Sequence, residues 1–255
     1  MKKWRVEDFH HSSKYYMSIP KSIKSACNLA TRFSNFISDP RDPRGRIHTF
    51  DSLIRPIVYG IGHGVCNFRK IETDTDIGMI GSGRIADNVF GHTFKKLDSS
   101  EVLEFLVREC KQMFRDHKFE KHEKARLNQV SFDGKWTKNQ EKQERADSRL
   151  ARRNRSVVRK TSCSILKAVL VSSTVRPVLW LTKVDPATNE LGEFYDSFRK
   201  FMKSYGRTGM VDLVSMDALY GVASVANLCI KHKAHYLLAV KNEQRLLFQE
   251  VSQAV

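Results

Sequence analysis

Residues 129–135, Gln129-Val130-Ser131-Phe132-Asp133-Gly134-Lys135, mark the point at which the chain changes from helical to strand periodicity. Val130 and Phe132 alternate with polar residues, as a half-buried strand requires, and Asp133 stands near the carboxyl end of the predicted strand. The runs on either side of it read differently, and that contrast sets the fold class.

Upstream, apolar residues recur at helical spacing. Helices are predicted over Ser22–Ile37, Phe50–Ile61, Arg84–Lys96 and Glu101–His117. In the last of these, Leu103, Leu106, Val107, Cys110 and Phe114 share one face, and Asp98-Ser99-Ser100 supplies the N-cap. Asp39-Pro40-Arg41-Asp42-Pro43-Arg44-Gly45 is a turn, because each proline drives its preceding aspartate out of the helical region. The polar stretch His117–Arg126 is the expected boundary, giving a helical domain over residues 1–127 and an α/β domain over 128–255.

Downstream, Ile165–Ser172 and Pro177–Val184 are β-branched runs that suit an antiparallel pair. A helix over Asn189–Tyr205 follows, with Leu191, Phe194, Tyr195, Phe198 and Phe201 on one face and Gly206 as its stop. Then come a strand over Val211–Met216, a helix over Ala218–His232, a strand over Tyr236–Val240 and a helix over Gln244–Val251. The order β-β-β-α-β-α-β-α predicts a mixed sheet flanked by helices, parallel in its second half because helical crossovers return the chain in one direction.

Composition narrows the function. Lys and Arg number 44 against 28 Asp and Glu, a formal charge of +16, which concentrates polyanions around the molecule. Residues 129–160 are the densest part, with ten basic against four acidic side chains. Lys135, Lys138, Arg152, Arg153 and Arg155 in this stretch are the candidate phosphate contacts, with Lys241 after the predicted fifth strand. A solvated basic loop is the plainer alternative, and Trp136 suits either base stacking or a half-buried strand end.

The five cysteines are widely spaced and form no C-x2-C pair, so a zinc site is not expected and a reduced, cytoplasmic setting is. The basic N-terminus runs into charge without an apolar stretch, and no apolar run approaches ~18 residues, so neither a signal peptide nor a membrane span is expected. Gly60-Ile61-Gly62-His63-Gly64 is not a nucleotide loop, and Asp74 and Asp76 lack the rest of a calcium loop. His232 and His235 suit capping better than metal binding.

The residues with chemical promise are Asp133 and Asp217, each following an apolar strand. Were those strands parallel neighbours, about 4.8 Å apart, both carboxylates would leave the same edge of the sheet. Two such charges repel unless a divalent cation lies between them, and oxygen ligands favour Mg²⁺ or Mn²⁺. Such a pair suits two-metal phosphodiester chemistry. The same residues also suit a turn and a helix N-cap, since Asp217 precedes the predicted helix at Ala218; the sequence leaves both readings open.

Val130-Ser131-Phe132-Asp133-Gly134-Lys135-Trp136-Thr137, Val214-Ser215-Met216-Asp217-Ala218-Leu219 and Tyr236-Leu237-Leu238-Ala239-Val240-Lys241-Asn242-Glu243-Gln244 resemble, in order and spacing, the "DGK", "DAL" and "YLLxxKxNQ" blocks of insertion-sequence DDE transposases, in particular the H-repeat-associated group. The stretch from Asp39 to His48 resembles that group's "DPR..RG..H" block, so the likeness spans roughly residues 25–255. It implies a ribonuclease-H-like domain behind a helical one and a bacterial, nucleoid-associated protein. It also implies that Asp133 and Asp217 are the first two catalytic, Mg²⁺- or Mn²⁺-binding members of an Asp-Asp-Glu triad that cuts and joins double-stranded DNA at element ends and target. Self-assembly of several copies is compatible with it.

The group's third carboxylate lies in a Tyr-x2-Arg-x3-Glu-x6-Lys setting that this sequence does not contain; Glu243 and Glu250 match no such position. The resemblance therefore implies a truncated copy or a fragment of a split one. Its alternative is a DNA-binding remnant without catalysis.

Overall fold

The computed structural model describes residues 21–62, 64–65, 67–76, 83–137, 163–185 and 188–240. The chain forms two compact units, Met1–Phe105 and Leu106–Val255. The division by compactness thus falls upstream of the polar stretch around His117–Arg126.

In the first unit, α1 (Lys21–Phe36), α2 (Phe50–Gly62), α3 (Phe68–Asp76), α4 (Asp87–Lys95) and the start of α5 (Ser99–Arg115) are helical. Two apolar clusters hold them. One joins Ala30, Ile37, Phe50, Ile54 and Phe105, and the other joins Leu53, Ile57, Ile71, Ile85 and Phe90. The proline turn is an ion-paired loop. Arg41 reaches Asp39 at 2.7 Å, Arg46 reaches it at 3.4 Å, and Asp42 caps the 3₁₀ turn Pro43–Gly45.

Helix α3 is a correction to the sequence reading, which left Phe68–Asp76 without an element. It is largely polar and anchors through Ile71, so it lacks the repeated apolar spacing that announces a helix. Asp74 and Asp76 therefore lie in a helix and not in a loop. Gly60 of α2 lets Ile71 approach, since a methyl group at Gly60 would stand 3.2 Å from the Ile71 side chain.

In the second unit the strands are β1 (Gln129–Thr137), β2 (Cys163–Leu170), β3 (Val178–Lys183), β4 (Leu213–Met216) and β5 (His235–Leu238). They form one sheet in the order β3-β2-β1-β4-β5. β1 and β3 run antiparallel to β2, whereas β4 runs parallel to both β1 and β5. This is the mixed sheet expected from the element order, and with the flanking helices it is the ribonuclease-H-like α/β arrangement.

Helix α6 (Glu190–Tyr205) begins at Asn189, whose side chain accepts from Gly192 N, and ends at Gly206. It packs an aromatic ridge on one sheet face. The Phe132 ring lies 5.3, 5.7 and 5.1 Å from those of Phe194, Phe198 and Phe201. That face is apolar because even-numbered residues of β1 point to it and alternate with the polar set.

The predicted helix over Ala218–His232 is broken, a second correction. A 3₁₀ turn over Ala218–Tyr220 is followed by extended backbone at Val222 and by α7 (Ala223–Lys231). Tyr220 and Val225 are both fully buried. Their spacing of five does not place two side chains on one helical face, so the interruption is what lets both turn inward. The predicted helix over Gln244–Val251 lies outside the described residues. No described helix is long and apolar enough to cross a membrane.

Candidate functional site

The site is set by the register of two strands. Gln129, Val130, Ser131 and Phe132 of β1 pair with Leu213, Val214, Ser215 and Met216 of β4. Asp133 directly follows the last β1 residue paired with β4, Phe132, and Asp217 directly follows the last paired residue of β4, Met216. The strands are parallel neighbours, with the spacing of about 4.8 Å that paired strands keep.

Asp133 belongs to the face opposite α6. Val130, Phe132, Val214 and Met216 are buried on the α6 side, so the alternating residues face away from it. Gln129 and Ser215 show this directly, the amide Nε2 donating to the hydroxyl Oγ at 2.9 Å.

Polar contacts at the start of the strands lock the register. Asn128 N donates to Asp212 Oδ2 at 2.8 Å, Asp212 N donates to Asn128 O at 2.9 Å, and Asn128 Nδ2 donates to Gly209 O at 2.6 Å. A slip of one residue would turn every core side chain outward, and a slip of two would break this clamp. The β1–β4 register up to its last pair, Phe132 with Met216, is therefore a consequence of contacts several residues away.

β1 continues to Thr137 against β2, so Asp133 is the middle residue of its strand and not near its end as the sequence suggested. It still lies at the carboxyl rim of the parallel half, because β4 stops at Met216. The extension arises because β2 supplies partners for Asp133 through Thr137.

Each aspartate has a partner. Asp133 Oδ2 lies 3.2 Å from Nζ of Lys167, its directly opposite residue on β2, with side chains 56% and 27% exposed. Asp217 Oδ1 accepts from Leu219 N at 3.0 Å and so caps the turn after β4. Lys135 is exposed two residues beyond Asp133, and Lys183 is exposed on β3 opposite Ile165. Lys135, Lys167 and Lys183 therefore share the open face with Asp133, by strand alternation. The sequence reading missed Lys167 and Lys183; strand pairing, which could have shown them, is a tertiary fact.

Lys138, Arg152, Arg153, Arg155 and Lys241 lie outside the described residues, as does the side chain of Trp136. Among the described residues no group of three or more His, Cys, Asp or Glu could hold a metal ion. His232 packs edge-on to Phe198 with centroids 5.7 Å apart, and burial, then nearby Lys231 and Arg199, lowers its pKa. The two-aspartate donor set still suits a hard cation. Mg²⁺ is commonly held by one or two carboxylates, with waters and substrate phosphate oxygens completing the shell, and a cation already pairs with Asp133 in the form of the Lys167 ammonium.

A third carboxylate lies nearby that the sequence reading did not single out. Glu190, the first residue of α6, accepts a hydrogen bond of 2.6 Å from the Tyr220 hydroxyl. The signal for it was the Asn189 N-cap that opens α6, with an acid as the first helical residue.

No family model matches the chain, and none of the curated proteins compared with it does. Among solved structures it is similar to the Mos1 transposase paired-end complex with left transposon end, at 10% identity over 78% of this chain and 63% of that one, with a TM-score of 0.33. The Mos1 strand transfer complex gives 10%, the same coverages and 0.31. The simian T-cell lymphotropic virus intasome in complex with PP2A regulatory subunit B56 gamma gives 13%, 65%, 56% and 0.31. The chain thus spans under two thirds of the length of each of these chains.

Proposed function

We propose that this chain is a DDE-type transposase protein of the insertion-sequence kind its motifs resemble, handling double-stranded DNA and holding Mg²⁺ or Mn²⁺ between Asp133 and Asp217. The observation that supports the reading is the parallel β1–β4 pairing, whose last pair, Phe132 and Met216, stands one residue before each aspartate. Two acids far apart in sequence, each inside a motif of that group, follow that last pair at the carboxyl rim of the parallel strands, where open α/β sheets place ligands.

The roles follow from position. Asp133 and Asp217 hold the cation, which when bound supplies Lewis-acid activation of a water or 3′-hydroxyl and neutralises charge on the leaving oxygen. Lys135 and Lys167 give a scissile phosphate a basic border without fixing sequence. Arg152, Arg153, Arg155, Lys138 and Lys241 extend that border in this reading.

A DNA-binding protein without strand cleavage is the second reading. It is favoured by the Lys167–Asp133 ion pair and the Asp217 cap, which give each acid a structural role. The test is strand cleavage of DNA carrying the ends of the encoding element, with Mg²⁺, Mn²⁺ or chelator. Cleavage only with metal, lost in both Asp133→Asn and Asp217→Asn, supports the enzyme, and Asn at 217 keeps a capping oxygen so the fold is spared. DNA binding without cleavage under any metal selects the second reading.

A further inference from the structure

The two-aspartate reading leaves Gly134 and Tyr220 without an account, and the structure links both to Glu190. The Glu190 carboxylate lies over Gly134, where a methyl group would overlap it. Its Oε1 accepts from Tyr220. Gly134 follows Asp133 directly, and Tyr220 ends the short turn that Asp217 caps.

Tyr220 is fully buried, its ring 4.9 Å from that of Phe194. Burial, then the hydrogen bond to Glu190 and the charges of Glu190, Asp217 and Asp133, push its hydroxyl pKa up. It is thus a permanent donor, and Glu190 is the acceptor that its burial demands. The carboxylate is itself favoured where it sits, at the positive end of the α6 dipole.

We propose that Glu190 is a positioning residue of the Asp133–Asp217 site: seated on Gly134 and bound to Tyr220, it fixes the turn that carries Asp217 level with Asp133. This rests on the reading of Asp133 and Asp217 given above. It gives three residues one purpose. The glycine admits the carboxylate, the tyrosine transmits its position, and the turn between them presents the second aspartate.

The test is Mn²⁺ binding to the full chain, followed by electron paramagnetic resonance, with thermal unfolding of every variant alongside. Tyr220→Phe and Glu190→Ala are expected to weaken Mn²⁺ binding by about tenfold or more, the usual effect of removing a group that orients a metal ligand. Gly134→Ala unseats the carboxylate, the flexible end of a side chain, and is expected to match them. Combining Gly134→Ala with Tyr220→Phe adds little, because both break one linkage. Glu190→Gln keeps an acceptor for Tyr220 and is expected to stay close to the parent.

Parent-like affinity in Tyr220→Phe, even with lowered stability, overturns the proposal. So does Glu190→Gln binding as weakly as Glu190→Ala, since charge and not position would then matter. Loss of binding in Asp133→Asn and Asp217→Asn keeps the underlying reading in either case. Failure of the parent to bind Mn²⁺, or parent-like binding in those two variants, removes that reading and this inference with it.

Discussion

Lys167→Met separates the two ligands that the site is proposed to hold. Lys167 Nζ lies 3.2 Å from Asp133 Oδ2, and a cation held by Asp133 must displace that ammonium. The side chains are 27% and 56% exposed, so the pair is screened by solvent; its contribution falls in the range of about 0.2–1 kcal/mol. Removing the competitor returns that amount to metal binding, a gain of about 1.4- to 5-fold in affinity at ~1.4 kcal/mol per decade. Methionine preserves the length and apolar stem of the side chain, which keeps the packing on β2. DNA binding should move the opposite way. Loss of one phosphate contact lowers the slope of log affinity against log salt by about one. Mn²⁺ titration by paramagnetic resonance reads the first effect and fluorescence anisotropy across a salt series reads the second. Unchanged or weaker Mn²⁺ binding in Lys167→Met would refute the claim that Asp133 is a metal ligand held in check by this lysine. Lys203→Met, on the exposed side of α6, serves as the charge-matched control.

Replacing Arg152, Arg153 and Arg155 together with Ala should weaken DNA binding evenly across sequences and flatten its salt dependence, read by the same anisotropy series; an unaltered slope excludes them as phosphate contacts. Phe132→Ala removes the centre of the aromatic ridge from a site 1% exposed, and should destabilise the second unit by about 3–5 kcal/mol in denaturant unfolding. Burial pushes the Cys110 and Cys229 thiols up to about 11, so both should resist a disulfide reagent at about pH 8 until the chain unfolds; rapid native labelling would contradict their burial. Burial works to raise the Asp39 carboxyl, but the hydrogen bonds and charge of Arg41, with the charge of Arg46, outweigh it and leave the pKa lowered. Its stabilisation is therefore complete above the unfolded carboxylate value of about 3.9 and fades as pH falls through the lower folded value, and Asp39→Asn should remove that acid limb from melting curves.

The sheet was legible because its signals are local. Val130 and Phe132 alternate with polar residues, helical crossovers force β4 and β5 to run parallel, and Asn189 and Gly206 bracket α6 at its observed ends. The weaknesses were local too. Helix α3 has too few apolar residues to show a period, and Ala218–His232 looked continuous because nothing in its sequence says that Tyr220 must turn inward. The acceptor of its hydroxyl lies on α6, in Glu190, thirty residues upstream.

That dependence explains why the candidate site was only half readable. Asp133 and Asp217 could be found as acids beside apolar strand residues, but the pairing of their strands needed the register, and alternation alone permits slips of two. The Asn128–Asp212 clamp removes those slips. Side chains that define a site can thus be set by polar contacts at the opposite end of the same strands, and a substitution there should act on metal affinity without touching either acid. Asp212→Ala is such a substitution. It removes the acceptor of Asn128 N and frees the register that aligns Asp133 with Asp217. Fast amide exchange along β4, together with weaker Mn²⁺ binding, is the expected outcome; loss of protection with metal affinity intact would show that the aspartates do not need the register to meet.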